Sequence, residues 1–167
     1  MGLHLVAARQ PIVDGGFNPR LACHSRTSSR DQGLHAVRVR WPLNRPRIVI
    51  ADEDASLVQF VIRTLRQEGN AVFHAYDALS AVELTTALDR CDLLISNTRV
   101  EGVPGVELIH QLRKWYPDLP ILYVANIGRS TPEIEAQLPF GVPILREPFT
   151  AEELRSAVRP FVSNGRQ

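Results

Sequence analysis

The chain has 167 residues, 44% of them hydrophobic and 22% charged, with a formal net charge of +1. Such proportions belong to a soluble globular protein, and no apolar run approaches the roughly 20 residues that a membrane helix needs. The apolar patch from Leu3 to Ala8 is broken by His4 and followed by Arg9 and Pro11, so no signal peptide is read and a cytoplasmic location is expected.

The charge is unevenly spread. Residues 1–45 hold seven arginines against Asp14 and Asp31, a surplus of five positive charges, whereas residues 46–167 hold twelve Lys and Arg against sixteen Asp and Glu, a surplus of four negative ones. The first stretch carries Pro11, Gly15-Gly16, Asn18-Pro19, Gly33 and Pro42 and shows no sustained period of 2 or 3.6. Residues 1–45 are therefore read as a disordered or loosely attached basic arm. Its arginines are scattered, with little aromatic interleaving, so a nucleic-acid partner is not expected. Arginine outnumbers lysine eighteen to one, with Lys114 alone, a bias that suggests a GC-rich bacterial gene. Cys23 and Cys91 are isolated thiols with no CxxC spacing, and the five histidines show no metal-ligand spacing.

From Arg47 the pattern changes. Arg47–Ala51 is a short apolar run of the kind buried on both faces of a parallel sheet. A helix starts at Asp54 or Ala55, with Leu57, Val58, Val61, Ile62 and Leu65 on one side, and Gly69-Asn70 ends it. Ala71–Ala75 is a second strand. Asp77 caps a helix running to Leu88, with Leu79, Val82 and Leu84 among its apolar residues. Asp92–Ser96 is a third strand. Gly105–Trp115 is a helix with Val106, Ile109 and Leu112 inward, closed by Pro117. Pro120–Ala125 is a fourth strand, Pro132–Gln137 a weak helix and Val142–Leu145 a fifth strand. Thr150 and Glu153 form a capping box that opens a last helix with Leu154, Val158 and Phe161.

Strand and helix alternate five times in about 118 residues. Crossovers this short make the strands parallel and the connections right-handed. The expected fold class is α/β: a doubly wound, five-stranded parallel sheet in the order 2-1-3-4-5, occupying residues 46–164. A ligand site in such a sheet lies outside the C-terminal ends of the strands. Those ends read Asp52-Glu53-Asp54, Ser96-Asn97-Thr98, Val124-Ala125-Asn126 and Arg146-Glu147-Pro148-Phe149.

At these positions the chain resembles the CheY-like receiver domain of bacterial two-component response regulators, over about 70% of its length. Asp52-Glu53 matches the acidic pair that helps to hold Mg²⁺ in that family. Asp92–Asn97 matches the strand that ends in the phospho-accepting aspartate, Arg99–Gly105 the loop after it, and Glu147-Pro148-Phe149 the family's Lys-Pro-Phe. Glu53 and Asn97 lie 44 positions apart and Ala125 and Glu147 lie 22 apart, both usual for such domains. The resemblance implies a flavodoxin-like receiver fold, a cis Glu147-Pro148 bond and a place in phosphorelay signalling.

The departures from that pattern carry as much weight. The family's chemistry needs a carboxylate nucleophile, a divalent ion, a hydroxyl and a lysine, the ion and lysine neutralising charge on the phosphoryl oxygens. Against the family, Asn97 stands at the acceptor position, Ala125 at the hydroxyl, Glu147 at the lysine and Ile144 at the aromatic switch position. An amide oxygen does not form an acyl phosphate. The expected molecule is a stand-alone pseudo-receiver with a degenerate phosphorylation pocket of Asp52, Glu53, Asn97, Ala125 and Glu147. It is expected to work as a binding module rather than an enzyme, with no output domain after Gln167. Its partner would be a protein, a histidine kinase or another response regulator, met through the face between Pro132 and Val162. No cofactor is expected beyond weak Mg²⁺ at Asp52 and Glu53. Repulsion among Asp52, Glu53 and Glu147 is expected to raise at least one pKa, with Glu147 swung outward to pair with Arg99 or Arg146. The alternative is a flavodoxin-like enzyme or metal-binding domain that uses those three carboxylates.

Overall fold

The computed structural model describes residues 45–88, 90–101 and 103–163. The basic arm read at residues 1–45 lies outside them except for Arg45. In chain order the elements are β1 (Arg47–Ala51), α1 (Ala55–Gln67), β2 (Ala71–Ala75), α2 (Ala78–Ala87), β3 (Leu93–Asn97), β4 (Arg99–Val100), β5 (Val103–Pro104), α3 (Gly105–Trp115), β6 (Ile121–Ala125), α4 (Pro132–Glu135), β7 (Ile144–Arg146) and α5 (Ala151–Val162).

Five strands form one parallel sheet in the order β2-β1-β3-β6-β7. Since β6 and β7 are its fourth and fifth strands in sequence, this is the expected 2-1-3-4-5 order. Alternation along the strands sorts their side chains onto two faces. Val49, Ala51, Leu94, Ile121, Tyr123 and Ala125 pack with Ala78, Ala81 and Val82 of α2 and Val106, Leu108, Ile109 and Leu112 of α3. Ile48, Ile50, Leu93, Ile95, Leu122 and Val124 pack with Val58, Val61 and Leu65 of α1 and Leu154 and Val158 of α5. Both cores are apolar, and each fully buried Leu, Ile or Val contributes about 1.5–3 kcal/mol. Every residue of β3 and β6 is buried, which explains the apolar runs Leu93–Ile95 and Ile121–Ala125.

The helix ends follow local chemistry. Asp54 accepts from the backbone N–H groups of Ser56 and Leu57. Asp77 with Ser80, and Thr150 with Glu153, form capping boxes. Gly69 takes φ +86° after α1, a conformation other residues reach only at a cost.

The structure corrects several boundaries. The third strand is Leu93–Asn97 rather than Asp92–Ser96, because the Asp92 carboxylate accepts the Arg47 N–H at 2.8 Å and anchors the start of β1 instead. The fourth and fifth strands begin at Ile121 and Ile144, each directly after a proline. Pro120 and Pro143 lack an N–H and contribute only carbonyl oxygens, which accept from Leu94 and Tyr123. The weak helix after β6 is the four-residue α4. Leu79, counted among the apolar residues of α2, is exposed. The loop after β3 holds a two-residue antiparallel ladder, β4 with β5, that the sequence pattern did not reveal.

Candidate functional site

The C-terminal edge of the sheet gathers the residues singled out at the strand ends. Asp52 follows β1 and is buried, Asn97 closes β3 and is buried, and Glu147 follows β7. Ala125, the last residue of β6, is buried against the α2/α3 core and offers only a methyl group and its backbone. Its carbonyl accepts the Glu147 N–H at 2.9 Å. Ile144 is registered against Tyr123 in the same ladder and packs on the same core.

Asn97 is the hub. Its Oδ1 accepts the Thr98 N–H at 2.5 Å, while its Nδ2 donates to Asp52 Oδ2 at 2.7 Å and reaches Glu147 Oε1 at 3.4 Å. A backbone N–H can only donate and ionised carboxylates can only accept, so these partners determine which way the amide points. Asp52 Oδ1 accepts the Asp54 N–H at 2.8 Å. Glu147 Oε2 accepts from Asn126 Nδ2 at 2.8 Å. The result is a continuous chain, Asp52–Asn97–Glu147–Asn126, in which each carboxylate meets an amide donor.

Glu147 therefore does not swing outward to Arg99 or Arg146, as the sequence suggested. Arg146 is one residue along the strand, where the side chain faces the other way, and its guanidinium is bound to both oxygens of Glu135 on α4. Glu53 also leaves the cluster. Its carboxylate pairs at 3.0 Å with Arg129, in the loop after β6, and both side chains are substantially exposed. Three carboxylates were expected to crowd one pocket; two are joined through Asn97 and the third faces solvent.

The electrostatics follow from this placement. Burial pushes the Asp52 carboxyl above its usual 3.8, and the nearby Glu147 charge adds to the rise, while the Asp54 N–H and the Asn97 amide pull the other way. Desolvation leads and repulsion is secondary. A cavity of about 140 Å³ opens beside the cluster, lined by Asp52, Glu53, Asp54, Asn97, Asn126 and the arginines Arg99 and Arg129. Both Asp52 oxygens accept N–H groups and Glu53 is turned to Arg129, so a divalent ion held by this pair would compete with those contacts. Among the described residues no group of three His, Cys, Asp or Glu side chains is placed to hold a metal.

Three contributors were not foreseen. Thr98 uses its hydroxyl twice, accepting the Asn126 N–H at 3.1 Å and donating to the Val124 carbonyl at 3.3 Å. His74 Nε2 lies 3.0 Å from the Asp52 carbonyl oxygen. Arg129 lies 76 positions from the glutamate it meets, and no local signal marks that pairing. Asn126 and Thr98 stood at strand ends, the one signal that pointed to them.

Comparison with known proteins places this geometry. Residues 48–159 match the family of the response regulator receiver domain. The chain belongs to that family. The response regulator MprA of Mycobacterium ulcerans is 35% identical over 117 residues, covering 70% of this chain and 50% of that protein, and MprA of Mycobacterium leprae is equally similar. The chain thus spans about half the length of the curated relatives it matches. Among solved structures, a response regulator receiver protein from Sinorhizobium medicae superposes with a TM-score of 0.65 at 23% identity, covering 74% of this chain and 99% of that one. The chemotaxis protein CheY4 of Vibrio cholerae gives a TM-score of 0.62 at 23% identity, over 71% of this chain and 99% of that one. At that identity they bear on the fold alone, and their near-complete coverage confirms the flavodoxin-like receiver architecture. Among the described residues no helix is long and apolar enough to cross a membrane.

Proposed function

We propose that this receiver domain takes part in two-component signalling by binding a protein partner, without being phosphorylated and without catalysing a reaction. The observation that carries the reading is the Asn97 amide at the end of β3, which donates to Asp52 where the family pattern has a carboxylate nucleophile. The amide is uncharged, its nitrogen is a donor and its oxygen accepts the Thr98 N–H, so it lacks the anionic oxygen that attacks phosphorus in the family's chemistry. The position of the family's lysine holds Glu147, an anion that would repel phosphoryl oxygens. The position of the hydroxyl holds Ala125. Each change alone weakens the chemistry, and together they remove nucleophile, cation and hydroxyl.

Binding then falls to the surface. The segment Pro132–Val162 supplies α4, β7 and α5, and carries the fully exposed Phe140 on the α4–β7 loop. A histidine kinase or another response regulator is the partner class that suits this family. The cavity of about 140 Å³ is well below the roughly 300–1,000 Å³ of small-molecule sites, which weighs against an enzyme built on the carboxylates. Mg²⁺ binding at Asp52 and Glu53 would be weak and is not needed for the proposed role.

The test is incubation with a small phosphodonor and Mg²⁺, followed by intact-mass measurement and peptide mapping. The expected outcome is no gain of mass. A stable phosphoryl group mapped to the receiver domain would overturn the reading. Melting with and without Mg²⁺ is the second arm, and an unchanged Tm is expected.

A further inference from the structure

We propose that Asn97 and Glu147 are an interdependent pair that latches the loop after β6 over the pocket in one conformation. The inference rests on the reading above and gives it a physical cause.

Two carboxylates, Asp52 and Glu147, flank the Asn97 side chain, with Glu147 at the position where the family pattern has a lysine. What separates them is the Asn97 amide, whose two N–H bonds point one to each, at 2.7 and 3.4 Å. The amide carries no charge and supplies two donors, so it satisfies both anions without adding a third. A carboxylate at position 97 would instead put three anions in contact, and a lysine at position 147 would set an ammonium against the amide donors of Asn97 and Asn126. Each residue suits the pocket because the other is there.

The same pair controls the loop Asn126–Ser130. Glu147 Oε2 holds the Asn126 side chain at 2.8 Å. The Asn126 backbone N–H rests on the Thr98 hydroxyl at 3.1 Å, one residue after Asn97. The Asn126 carbonyl in turn accepts the N–H groups of Arg129 and Ser130 at 3.1 and 2.9 Å, and Gly128 takes the φ of +88° that this turn requires. The Arg129 guanidinium then reaches across to Glu53, and the Ser130 hydroxyl to Glu135, which Arg146 also holds. The loop is thus tied at its root through Glu147 and at its far end to α4 and β7. It leads directly into the face assigned to partner binding, so the pair fixes the shape of that face.

The experiment is a double-mutant cycle on the full chain with Asn97→Asp, Glu147→Lys and both together, read by urea denaturation and by amide hydrogen exchange over residues 126–130. Each single variant is expected to lower the folding constant by about tenfold or more and to speed exchange in the loop. The double variant is expected to recover at least about tenfold relative to the product of the singles, with slowed exchange. Should Asn97→Asp fail to fold, Glu147→Lys and the charge-removing Glu147→Gln decide the matter. The lysine must speed loop exchange more than the glutamine does. Additive effects in the cycle, or unchanged exchange over residues 126–130 in Glu147→Lys, would overturn the proposal. Neither result bears on the mass measurement, which tests phosphorylation in the unaltered protein, so the two readings fail separately.

Discussion

Gly105, the first residue of α3, stands so close to Asn97 that a Cβ at this position would lie 1.8 Å from the Asn97 carbonyl oxygen. The approach arises because the loop after β3 folds back on itself. Gly105 donates its N–H to the Thr98 carbonyl at 3.0 Å, outside the β4–β5 ladder. No rotation of a flexible side chain relieves a clash with backbone. Gly105→Ala is therefore expected to cost about 2–3 kcal/mol through forced backbone displacement, measured by urea denaturation. The Asn97 amide resonance in an NMR spectrum should move as well. A variant as stable as the parent, with Asn97 unmoved, would show that α3 can slide away without penalty.

Tyr123 gives a prediction of opposite sign. Its ring is fully buried in the α2/α3 core, and its hydroxyl has no hydrogen-bond partner among the described residues. Such a group carries its desolvation cost uncompensated. Tyr123→Phe removes one oxygen and keeps the ring, and is expected to stabilise the fold by about 1 kcal/mol, a rise in Tm of about 3–6 °C for a domain of this size. A fall in Tm would mean that the hydroxyl has a partner in solution.

Asp52 sets a pH dependence. Its folded-state pKa lies above 3.8, chiefly through burial, so the folded chain holds this proton more tightly than the unfolded chain does. The contribution of this group to stability is therefore greatest below 3.8 and falls as pH rises through its folded pKa. Glu135, held low mainly by its hydrogen bond from Arg146, works in the other sense, its contribution being lost as pH falls. Carboxyl ¹³C chemical shifts followed against pH should place the Asp52 midpoint above that of an ordinary aspartate. A midpoint at or below 3.8 would contradict the buried placement.

The loop after β6 has two kinds of anchor with different weights. The Arg129–Glu53 pair is exposed at both ends, so Arg129→Ala is expected to cost less than about 1 kcal/mol, and less still at high salt. The Thr98 hydroxyl is buried, accepting from Asn126 and donating to Val124. Thr98→Val takes the acceptor from the Asn126 N–H, while the Val124 carbonyl keeps its bond from the Thr98 N–H, and is expected to cost about 1–3 kcal/mol. Comparing the two variants by denaturation at low and high salt checks the ranking, which a larger loss in Arg129→Ala would reverse.

Much of the fold was legible because its signals are local. Asp54, Asp77 and Thr150 mark helix starts through bonds to N–H groups within three residues. Strands β1 and β2 have the bounds that the apolar runs suggest. Boundaries slipped where a residue serves a distant partner. Asp92 looks like the start of a strand but caps the start of β1 from 45 positions away. The β4–β5 ladder was hidden because two residues per strand carry no periodicity.

The site divides in the same way. The sequence by itself determined which groups stand at the strand ends: Asp52, Asn97, Ala125 and Glu147 follow from the alternation of strands and helices and the residues that end each strand. Tertiary structure alone decided how their side chains are shared. Whether Glu147 met Arg146, Arg99 or Asn97 depended on which face of β7 each side chain leaves and on Glu135 having already engaged Arg146. Whether Glu53 joined Asp52 depended on where the loop bearing Arg129 closed. Strand propensity and helix caps act over a few residues along the chain, whereas these pairings form between loops that come together only once the sheet is assembled.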